Sequence, residues 1–505
     1  MFFPPGRFIV SPDDNVDDVI RIESSHLVLR GSGDGAGGTE IFMDARKVSS
    51  FMFQFEPEST SDDSLAVVTA DAARESYWVT VDDASELEVG QRVVIQYKDP
   101  AYAAIYFEPL PVPDEWTRLW ETGFRVHEIH KVAEIDGTRV RFYEPLHIEL
   151  KMHPQADFTL VSYPSIEEIG IEDIRFSGNW DSYPEEFEHH KDDIHDYAWN
   201  GLRMEHVQNA WVRRCTFADW NQGLYFDSCA AITVEQVEFT GKKGHMSIHA
   251  RRGYGVLVRD CEDVAAHHHG PGVGYQGVAT VYLRHKMQVD QRIDSHSGTP
   301  YATLFDQVRG GQLGGNGGPV ESLPHHGRDF VFWNFVHRAT EDHVYDFWNM
   351  DKRENNTFAL PIFAGFTADH EVVFADEATK VLVNESFGAP VSPGSLFEAQ
   401  LALRLGSTDL PVEDAGVTSD GGTPPPPSDA SVTPNPADAG EPSPDNEHPV
   451  SGPAATFSPS GDPTGCSCHV AQPVRSGPAW LILAAVAWRG RSRRRLLRRS
   501  ATRTT

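Results

Sequence analysis

The chain has 505 residues, of which 74 are acidic and 43 are basic, and its formal net charge is −31. Nucleic-acid binding rests on neutralising phosphates with Lys and Arg, so this composition argues against a nucleic-acid partner. Five cysteines form neither a disulfide framework nor a zinc pattern. Fifteen of the 23 histidines fall between His189 and His343. This clustering indicates that the candidate site lies in that stretch.

The first 405 residues are predicted to form one β-rich body, interrupted by an insertion at residues 66–160. The chain opens with Phe2-Phe3-Pro4-Pro5-Gly6-Arg7-Phe8, and a short apolar strand follows at Leu27-Val28-Leu29-Arg30-Gly31. Within the insertion, three segments read as strands of a small β-rich unit: residues 78–81, 89–95 and 139–142. Such a unit is typical of one enlarged loop between repeats, where it walls one side of a cleft.

The clearest repeat lies between residues 169 and 261. Successive strand patterns recur at offsets of 22 and 24 residues, with the apolar positions Ile169, Ile171, Ile174, Phe176; Ala210, Val212, Cys215, Phe217; Ile232, Val234, Val237, Phe239; and Val256, Val258, Cys261. A second short strand recurs between them as Leu202-x-Met204, Leu224-x-Phe226 and Met246-x-Ile248. About 22 residues is too short for a crossover through a helix. The repeat fits one turn of a parallel β-helix, in which each turn packs on its neighbours.

Two cysteines test this interpretation. Cys215 and Cys261 occupy the same inward position two turns apart, with Val237 between them. At roughly 4.8 Å per strand their separation is about 10 Å, which exceeds the disulfide limit. We therefore predict that both are core side chains and that neither is a catalytic thiol.

A row of polar residues is predicted on the outward face of the short strands. Glu205, Asp227 and His249 each follow the first inward residue of their strand by three positions, so they are expected to stack on one exposed face. Arg203 and Tyr225 stand beside them in a second column. Asp294 and His296 extend this face if two irregular turns intervene. Outward polar ladders also occur on β-helices simply because that face contacts water.

Two carboxylates with histidines are what general acid–base chemistry requires. In a glycoside hydrolase, Asp227 and Glu205 would be acid and base or nucleophile, with His249, Asp294 and His296 in proton transfer. A polysaccharide lyase needs a base and a cation that neutralises a uronate carboxylate, for which Arg251, Arg252, His249 or calcium are candidates. The predicted substrate-binding residues are Arg251, Arg252, Tyr225, His268 and His326.

Two further segments are candidates for binding. His267-His268-His269 reads as a solvated loop. The alternative is a binding role, in which at most His267 and His269 act together because neighbouring side chains point to opposite faces. His326 follows a glycine-rich stretch that reads as a loop over the cleft. The acidic segment at residues 180–198 is predicted to be a charged surface loop, and the alternative is that it binds calcium. No set of metal ligands with regular spacing is predicted.

The C-terminal residues predict export. Residues 406–464 are rich in Pro, Ser, Gly and Asp, which is typical of a disordered linker. Residues 465–505 contain Gly465-Cys466, an apolar run from Trp480 to Trp488 and an arginine-rich end. The apolar run is shorter than the about 20 residues that span a membrane. The order of the segments favours a membrane or cell-surface anchor with the arginines inside.

Two resemblances sharpen these expectations. The opening residues 2–8 and 27–31 resemble the first turn of pectin-lyase-like proteins, and the regions around residues 294–296, 304–306 and 332–335 are similar to a branch of that superfamily of unsettled activity. The resemblance implies an all-β, right-handed parallel β-helix and carbohydrate chemistry. It also implies a signal peptide and a cap upstream of Met1. The C-terminal residues resemble the myxobacterial sorting tag, in which Cys466 would be processed and lipidated.

The leading hypothesis is a monomeric, surface-anchored, carbohydrate-active enzyme that cleaves glycosidic bonds of a polysaccharide lying along the β-helix. Hydrolysis is favoured slightly, because the predicted column offers carboxylates and an acidic groove would repel a polyuronate. A polysaccharide lyase acting by β-elimination is the nearest alternative. A non-catalytic glycan-binding adhesin and a structural spacer are further alternatives.

Overall fold

The computed structural model describes residues 1–10, 19–44, 46, 48, 50–121, 124–153, 157–314, 317–349 and 356–406. β-Strands are the main secondary structure of these residues, and two parallel sheets enclose the core. The strands of each sheet come from successive turns of the chain, so neighbours in a sheet are not neighbours in sequence. The predicted right-handed parallel β-helix is confirmed.

In chain order the strands of the described residues are β1 Gly6–Val10, β2 Ile20–Ile22, β3 Leu27–Arg30, β4 Thr39–Met43, β5 Phe51–Phe55, β6 Ser64–Val67, β7 Trp78–Thr80, β8 Arg92–Asp99, β9 Phe124–Asp136, β10 Arg139–Phe142, β11 Asp157–Ser162, β12 Ile166–Glu167, β13 Ile169–Glu172, β14 Arg175–Ser177, β15 Asn200–Glu205, β16 Val207–Ala218, β17 Gln222–Asp227, β18 Ala230–Thr240, β19 Met246–Arg251, β20 Tyr254–Arg259, β21 Glu262–Asp263, β22 His269–Gly274, β23 Val281–Leu283, β24 Arg292–Ser295, β25 Thr303–Asp306, β26 Phe330–Trp333, β27 Val336–His337, β28 His343–Tyr345, β29 Ile362–Ala364, β30 Thr367–Ala368, β31 Val372–Phe374 and β32 Val383–Glu385. The α-helices are α1 Pro100–Phe107, α2 Thr117–Glu121, α3 Asp193–Tyr197, α4 Glu377–Lys380 and α5 Leu396–Leu405, and 3₁₀ turns lie at Trp180–Ser182 and Val320–Ser322.

Two parallel sheets form the walls of the β-helix. The long parallel sheet has the order β1-β4-β14-β16-β18-β20-β23-β25-β26-β29-β32, and the short parallel sheet has the order β2-β5-β15-β17-β19-β22-β24. Two small parallel pairs, β27 with β30 and β28 with β31, continue the later turns. From β1 to β24 each turn of the chain thus adds one strand to each wall, as the repeat predicts, whereas β25, β26, β29 and β32 extend only the long parallel sheet.

Identical inward positions stack from turn to turn and build the core. Phe176, Phe217 and Phe239 lie in register on three neighbouring strands, and their ring centroids are 5.1 and 5.8 Å apart. All three rings are buried, and burying such a side chain contributes roughly 1.5–3 kcal/mol. Cys215 and Cys261 are buried free thiols, which confirms their prediction as core side chains. Burial raises the pKa of each thiol to about 12, so neither is a nucleophile at neutral pH.

An antiparallel sheet lies between β5 and β12 in the chain. Its order is β6-β11-β8-β9-β10-β7, and its strands span Ser64 to Ser162. Its apolar side chains share one core with Ala230, Tyr254 and Val278, which begin successive turns of the long parallel sheet. A buried hydrogen bond joins the Tyr301 hydroxyl to Glu128 Oε1 at 2.8 Å. These contacts fix the antiparallel sheet against one side of the β-helix.

A second segment, residues 178–199, packs at the opposite ends of the short strands. The indole Nε1 of Trp180 donates to the carbonyl of Lys243 at 2.8 Å, and Asn221 Nδ2 donates to the carbonyl of His195 at 2.7 Å. The helix α3 is capped by Asp192, whose carboxylate accepts from two backbone amides. The segment is therefore held on the β-helix through buried hydrogen bonds.

The predicted linker at 406–464 and tail at 465–505 lie outside the described residues, apart from Gly406. The linker, the anchor and the surface location remain predictions. In the described part of the chain, no helix combines the length and the apolar character that a membrane crossing requires.

Candidate functional site

The candidate site is the outward face of the short parallel sheet, where two columns of side chains cross five strands. Register places Arg203, Tyr225, His249, Gly272 and Asp294 in the first column. It places Glu205, Asp227, Arg251 and Gly274 in the second column. His296 lies next to Gly274. The antiparallel sheet flanks one side of this face, and residues 178–199 flank the other.

The predicted alignment of His249 with Glu205 and Asp227 is wrong by two residues. Tyr225 is the partner of His249, and Arg251 is the partner of Asp227. Strand alternation has a period of two, so a two-residue shift keeps every side chain on the same face and leaves the apolar pattern intact. The predicted exposure is also wrong, because Asp227, His249, Asp294 and Tyr225 are all buried. The same face therefore carries an arginine–carboxylate group and a histidine–carboxylate group at its two ends.

Asp227 lies at the centre of the arginine end, which we define as Arg203, Glu205, Asp227, Arg251 and Arg252. Its carboxylate accepts from Arg252 Nε at 2.9 Å and Nη2 at 2.7 Å, and Arg251 Nε lies 3.1 Å away. Burial alone would raise the pKa of Asp227, but the charges of Arg251, Arg252 and Arg203 outweigh it and hold the pKa well below its usual range. Asp227 thus stays ionised and is unsuited to the predicted role of general acid.

Glu205 differs from Asp227 in its environment. Its side chain is 22% exposed, and its Oε2 accepts from Arg203 Nη2 at 2.5 Å. Burial raises the pKa of Glu205, the charge of Arg203 opposes this change, and the charge of Asp227 adds to it. The two carboxyl groups are therefore driven apart in pKa, and Glu205 is the better proton donor of the two.

Aromatic rings lie among these guanidinium groups. Tyr225 is buried, with its ring centroid 5.8 Å from Arg203 Cζ and 5.9 Å from Arg251 Cζ. Arg251 also lies over the ring of Tyr275 at 4.6 Å. Tyr225 is therefore a buried support for the arginines, and its burial does not fit the predicted role in binding substrate. Tyr275 was not singled out from the sequence, and its ring is only partly buried.

Asp294 lies at the centre of the histidine end, which we define as His249, His269, Asp294 and His296. Its Oδ2 is 3.2 Å from His296 Nδ1, 3.5 Å from His269 Nδ1 and 3.8 Å from His249 Nε2. The predicted proximity of Asp294 and His296 to His249 is therefore present in the structure. Burial lowers the pKa of His249 to about 4, so its imidazole is neutral at pH 7.

The three consecutive histidines separate in a way that the sequence did not predict. His267 turns inward, with Nδ1 3.0 Å from Asp263 Oδ1 and Nε2 3.1 Å from the Trp220 carbonyl. The predicted solvated loop is therefore wrong for His267, which is buried, and so is the alternative in which His267 and His269 act together. His268 and His269 instead contact His189. The ring centroid of His189 lies 4.0 Å from that of His268 and 5.0 Å from that of His269.

His326 does not lie over the cleft. It is fully buried, it stacks on Phe330 with ring centroids 3.8 Å apart, and its Nε2 is 3.0 Å from the Thr303 hydroxyl. Burial lowers the pKa of His326 to about 3. The prediction that His326 binds substrate is wrong, and the side chain belongs to the core.

A cleft of about 480 Å³ opens between the antiparallel sheet and the arginine end. Its lining residues are Gln96, Tyr97, Arg125, Val126, His127, Thr159, Arg252 and Gln276. A smaller cavity of about 50 Å³ shares Arg125 and Gln276 with it and adds Arg118 and Tyr275. Tyr275 and Gln276 have φ values of 41° and 54°. Two consecutive left-handed residues are a strained turn, and such turns concentrate at functional sites.

Arg125 is the cation of this cleft that lacks an acidic partner. It is exposed on β9, and among the described residues it forms no ion pair. Burial of part of its side chain, followed by the charges of Arg118 and Arg252, lowers its pKa. The cleft therefore concentrates positive charge in a chain whose net charge is −31.

The acidic segment does not supply an oxygen-rich calcium site within the described residues. Asp192 caps α3, Asp196 Oδ2 is 2.9 Å from His190 Nδ1, and Glu185 pairs with Lys191 at 2.7 Å. The described groups of three side chains with ligand atoms close enough for one metal ion are His189, His268 and His269, and His269, Asp294 and His296.

Part of the chain matches a family model, and several solved structures resemble the chain distantly. The family model described as "Domain of unknown function (DUF4955)" matches residues 266–414. No curated protein matches the chain. Solved structures that resemble it include the tailspike protein gp49 from Pseudomonas phage LKA1, with a TM-score of 0.39 and 13% identity over 78% of this chain and 72% of that one. A second is the Gp54 tailspike of Acinetobacter baumannii bacteriophage AP22 in complex with capsular saccharide, with a TM-score of 0.30 and 12% identity over 76% of this chain and 63% of that one. A third is the Pseudomonas phage phi297 tailspike gp61, with a TM-score of 0.32 and 11% identity over 74% of this chain and 65% of that one.

Proposed function

We propose that this protein binds an acidic polysaccharide in the cleft beside the arginine end and cleaves it by β-elimination. The observation that carries the proposal is the convergence of guanidinium groups on one cleft of an acidic chain. Arg125 enters from the antiparallel sheet, and Arg252 enters from the turn after β19. A sugar chain that carries carboxylates supplies the anions that this cleft attracts.

The charge balance at the arginine end favours an anionic ligand. Asp227 neutralises one of the three guanidinium groups around it, and Glu205 pairs with Arg203. At least one positive charge is left there, and Arg125 adds another. Guanidinium groups bind carboxylates in a bidentate geometry, and this favours uronate sugars over neutral ones. The sequence led us to expect an acidic groove and, for that reason, slightly to favour hydrolysis. The surplus positive charge is our reason for proposing elimination instead.

β-Elimination places three demands on the site. A base removes the proton from C5 of the uronate, a cation neutralises its carboxylate, and the C4–O bond breaks as a C4–C5 double bond forms and a proton passes to the departing oxygen. We assign the carboxylate to Arg125 and Arg252. We assign proton transfer to the Tyr275 hydroxyl, because its ring stands against Arg251 in the adjoining cavity. Asp227 holds the arginines in place and is a positioning residue.

Hydrolysis is supported by a different observation. Glu205 has a pKa raised by burial, whereas its neighbour Asp227 is held ionised. One protonated and one ionised carboxyl group are the pair that a glycoside hydrolase uses. In that reaction Glu205 donates its proton to the leaving oxygen.

Product analysis separates these reactions. The full chain is incubated with polyuronates and with neutral polysaccharides, and both ultraviolet absorbance and new reducing ends are followed. Elimination gives both signals with polyuronates, and both are lost in Tyr275→Phe. Reducing ends without absorbance, lost in Glu205→Gln, would establish hydrolysis instead. A folded chain that binds a polyuronate and releases no product would leave a glycan-binding adhesin.

A further inference from the structure

We propose that His269, Asp294 and His296 bind a divalent transition-metal ion of the zinc class. These residues lie at the histidine end of the outward face, and none of them lines the cleft assigned to the polysaccharide. The proposal does not depend on the proposed function, because it concerns a different group of side chains. It rests on ligand geometry, on buried polar atoms without partners, and on the close packing of a glycine against one ligand.

The strand register brings the three ligands together. β22 and β24 are neighbours in the short parallel sheet, and their pairing shifts between His269 and Gly272. This irregularity brings His269 towards Asp294 although their positions are not directly paired. The ligand atoms of His269, Asp294 and His296 all lie within 4.8 Å of one another.

The distances match those around one metal ion. Asp294 Oδ2 is 3.2 Å from His296 Nδ1 and 3.5 Å from His269 Nδ1. Two ligand atoms held about 2.1 Å from a tetrahedral ion lie about 3.4 Å apart. The pairs therefore have the separation of coordinating atoms and are longer than a charge-assisted hydrogen bond of about 2.7–2.9 Å.

Two buried polar atoms at the same place have no hydrogen-bond partner. Asp294 Oδ1 and His249 Nε2 both lack a partner, and the two residues are 3% and 4% exposed. Leaving such buried atoms unsatisfied is unfavourable, because each has lost its hydrogen bonds to water without gaining another. A cation beside the Asp294 carboxylate would compensate for its burial, and His249 Nε2, 3.8 Å from Asp294 Oδ2, is placed to be a fourth ligand.

Gly317 packs closely against the ligand atom of His296. A Cβ atom at this position would stand 2.0 Å from His296 Nδ1. A side chain at residue 317 would therefore force the imidazole of His296 to move, so glycine at this position keeps the ligand where it is.

The surrounding side chains orient the ligands and indicate the class of metal. The second ring nitrogen of His269, Nε2, lies 3.2 Å from Nε2 of His189, so His189 fixes the direction of His269. Two imidazoles, a third at hand and one carboxylate suit Zn²⁺ or a similar first-row ion. Calcium prefers oxygen ligands, so the calcium alternative does not fit this donor set.

Equilibrium dialysis of the full chain tests the proposal. The chain is treated with a chelator, dialysed against Zn²⁺ or Ca²⁺, and its metal content is measured by mass spectrometry. We expect one tightly bound Zn²⁺ per chain and no comparable Ca²⁺. Asp294→Asn and His296→Ala are expected to weaken this binding by more than about 100-fold, and His189→Ala by about 10–100-fold.

The matched controls are Asp342→Asn and His370→Ala, which alter an exposed His–Asp pair 3.6 Å apart. Both controls are expected to retain Zn²⁺. If Asp294→Asn fails to fold, the optical spectrum of Co²⁺ bound to the unaltered chain reports whether nitrogen and oxygen atoms ligate the ion. Zn²⁺ retained in folded Asp294→Asn, a thiolate signature in the Co²⁺ spectrum, or no tight binding by the unaltered chain would each overturn the proposal.

Discussion

The arginine end and the histidine end of the outward face bury a carboxylate in different ways. Asp227 is surrounded by guanidinium groups and receives two hydrogen bonds from Arg252. Asp294 is surrounded by imidazoles at 3.2–3.8 Å, and its Oδ1 has no hydrogen-bond partner. Both residues are almost fully buried on the same sheet. The first carboxylate is neutralised by the protein, whereas the second lacks a comparable cation.

This difference separates two roles. A buried charge is tolerated when it is paired and hydrogen-bonded, so Asp227 needs nothing beyond the chain itself and the arginines around it carry the surplus charge. A buried carboxylate surrounded by imidazoles is an arrangement that a metal ion completes. The first end is therefore suited to bind an anion, and the second is suited to bind a cation.

The largest expected effect comes from breaking the arginine end. Asp227→Asn leaves three guanidinium groups close together without their carboxylate. Removing one partner of a buried ion pair costs about 3–5 kcal/mol, and we expect a loss of this size in the free energy of unfolding, measured by urea denaturation. The matched control is Asp260→Asn, which removes a partly exposed partner of Arg284. We expect it to cost about 0–1 kcal/mol. Equal losses in the two variants would show that Asp227 does not hold a buried cluster.

An acid titration tests whether His326 belongs to the core and to neither end. Burial lowers the pKa of His326 from 6.5 to about 3. As the pH falls below 6.5 the unfolded chain takes up a proton that the folded chain does not, so stability is lost from pH 6.5 downwards. At about 1.4 kcal/mol per pH unit this side chain accounts for about 3 kcal/mol between pH 7 and pH 4.

The variant His326→Phe removes this contribution. Its free energy of unfolding should fall about 3 kcal/mol less than that of the unaltered chain between pH 7 and pH 4. His370→Phe, at an exposed position, serves as the control. An unchanged pH dependence in His326→Phe, together with lost glycan binding, would return His326 to the cleft.

The smallest expected effect on stability comes from Glu205, whose environment differs from that of Asp227. Its pKa is raised by burial, so the folded chain disfavours its ionised form, and stability decreases as the pH rises through this pKa. Glu205→Gln keeps an acceptor for Arg203 and removes the charge. We expect the free energy of unfolding at pH 7 to change by less than about 1 kcal/mol. A loss as large as that of Asp227→Asn would show that the two carboxylates form one inseparable cluster.

The fold was predictable because its signal is local and repeated. Inward residues such as Val212 and Val234 recur at a fixed offset, and stacking these positions is what stabilises a β-helix. The register of the short strands was not predictable at His249. A two-residue shift preserves the alternation of faces, and only the partners Ile248 and Ala250 across from Leu224 and Phe226 decide it.

The site was predictable only where it lies on the repeat. Asp227, Arg251 and Asp294 stand on strands of the short parallel sheet, and outward positions of a repeat can be read from its spacing. Arg125 and His189 come from the antiparallel sheet and from residues 178–199, which have no repeat. His189 meets His269 across 80 residues of sequence. Contacts between such segments depend on how they pack on the β-helix, and no local pattern encodes them.

The most direct test of the account is the binding of a polyuronate to the full chain, measured by calorimetry at several salt concentrations. We expect binding that weakens with salt, falls about tenfold or more in Arg125→Ala, and is unchanged in Arg139→Ala. Arg139 is the matched control because it is an exposed arginine of the antiparallel sheet that lies over Trp78 instead of the cleft. Equal affinity for a neutral polysaccharide, or full binding by folded Arg125→Ala, would contradict the assignment of this cleft to an acidic glycan.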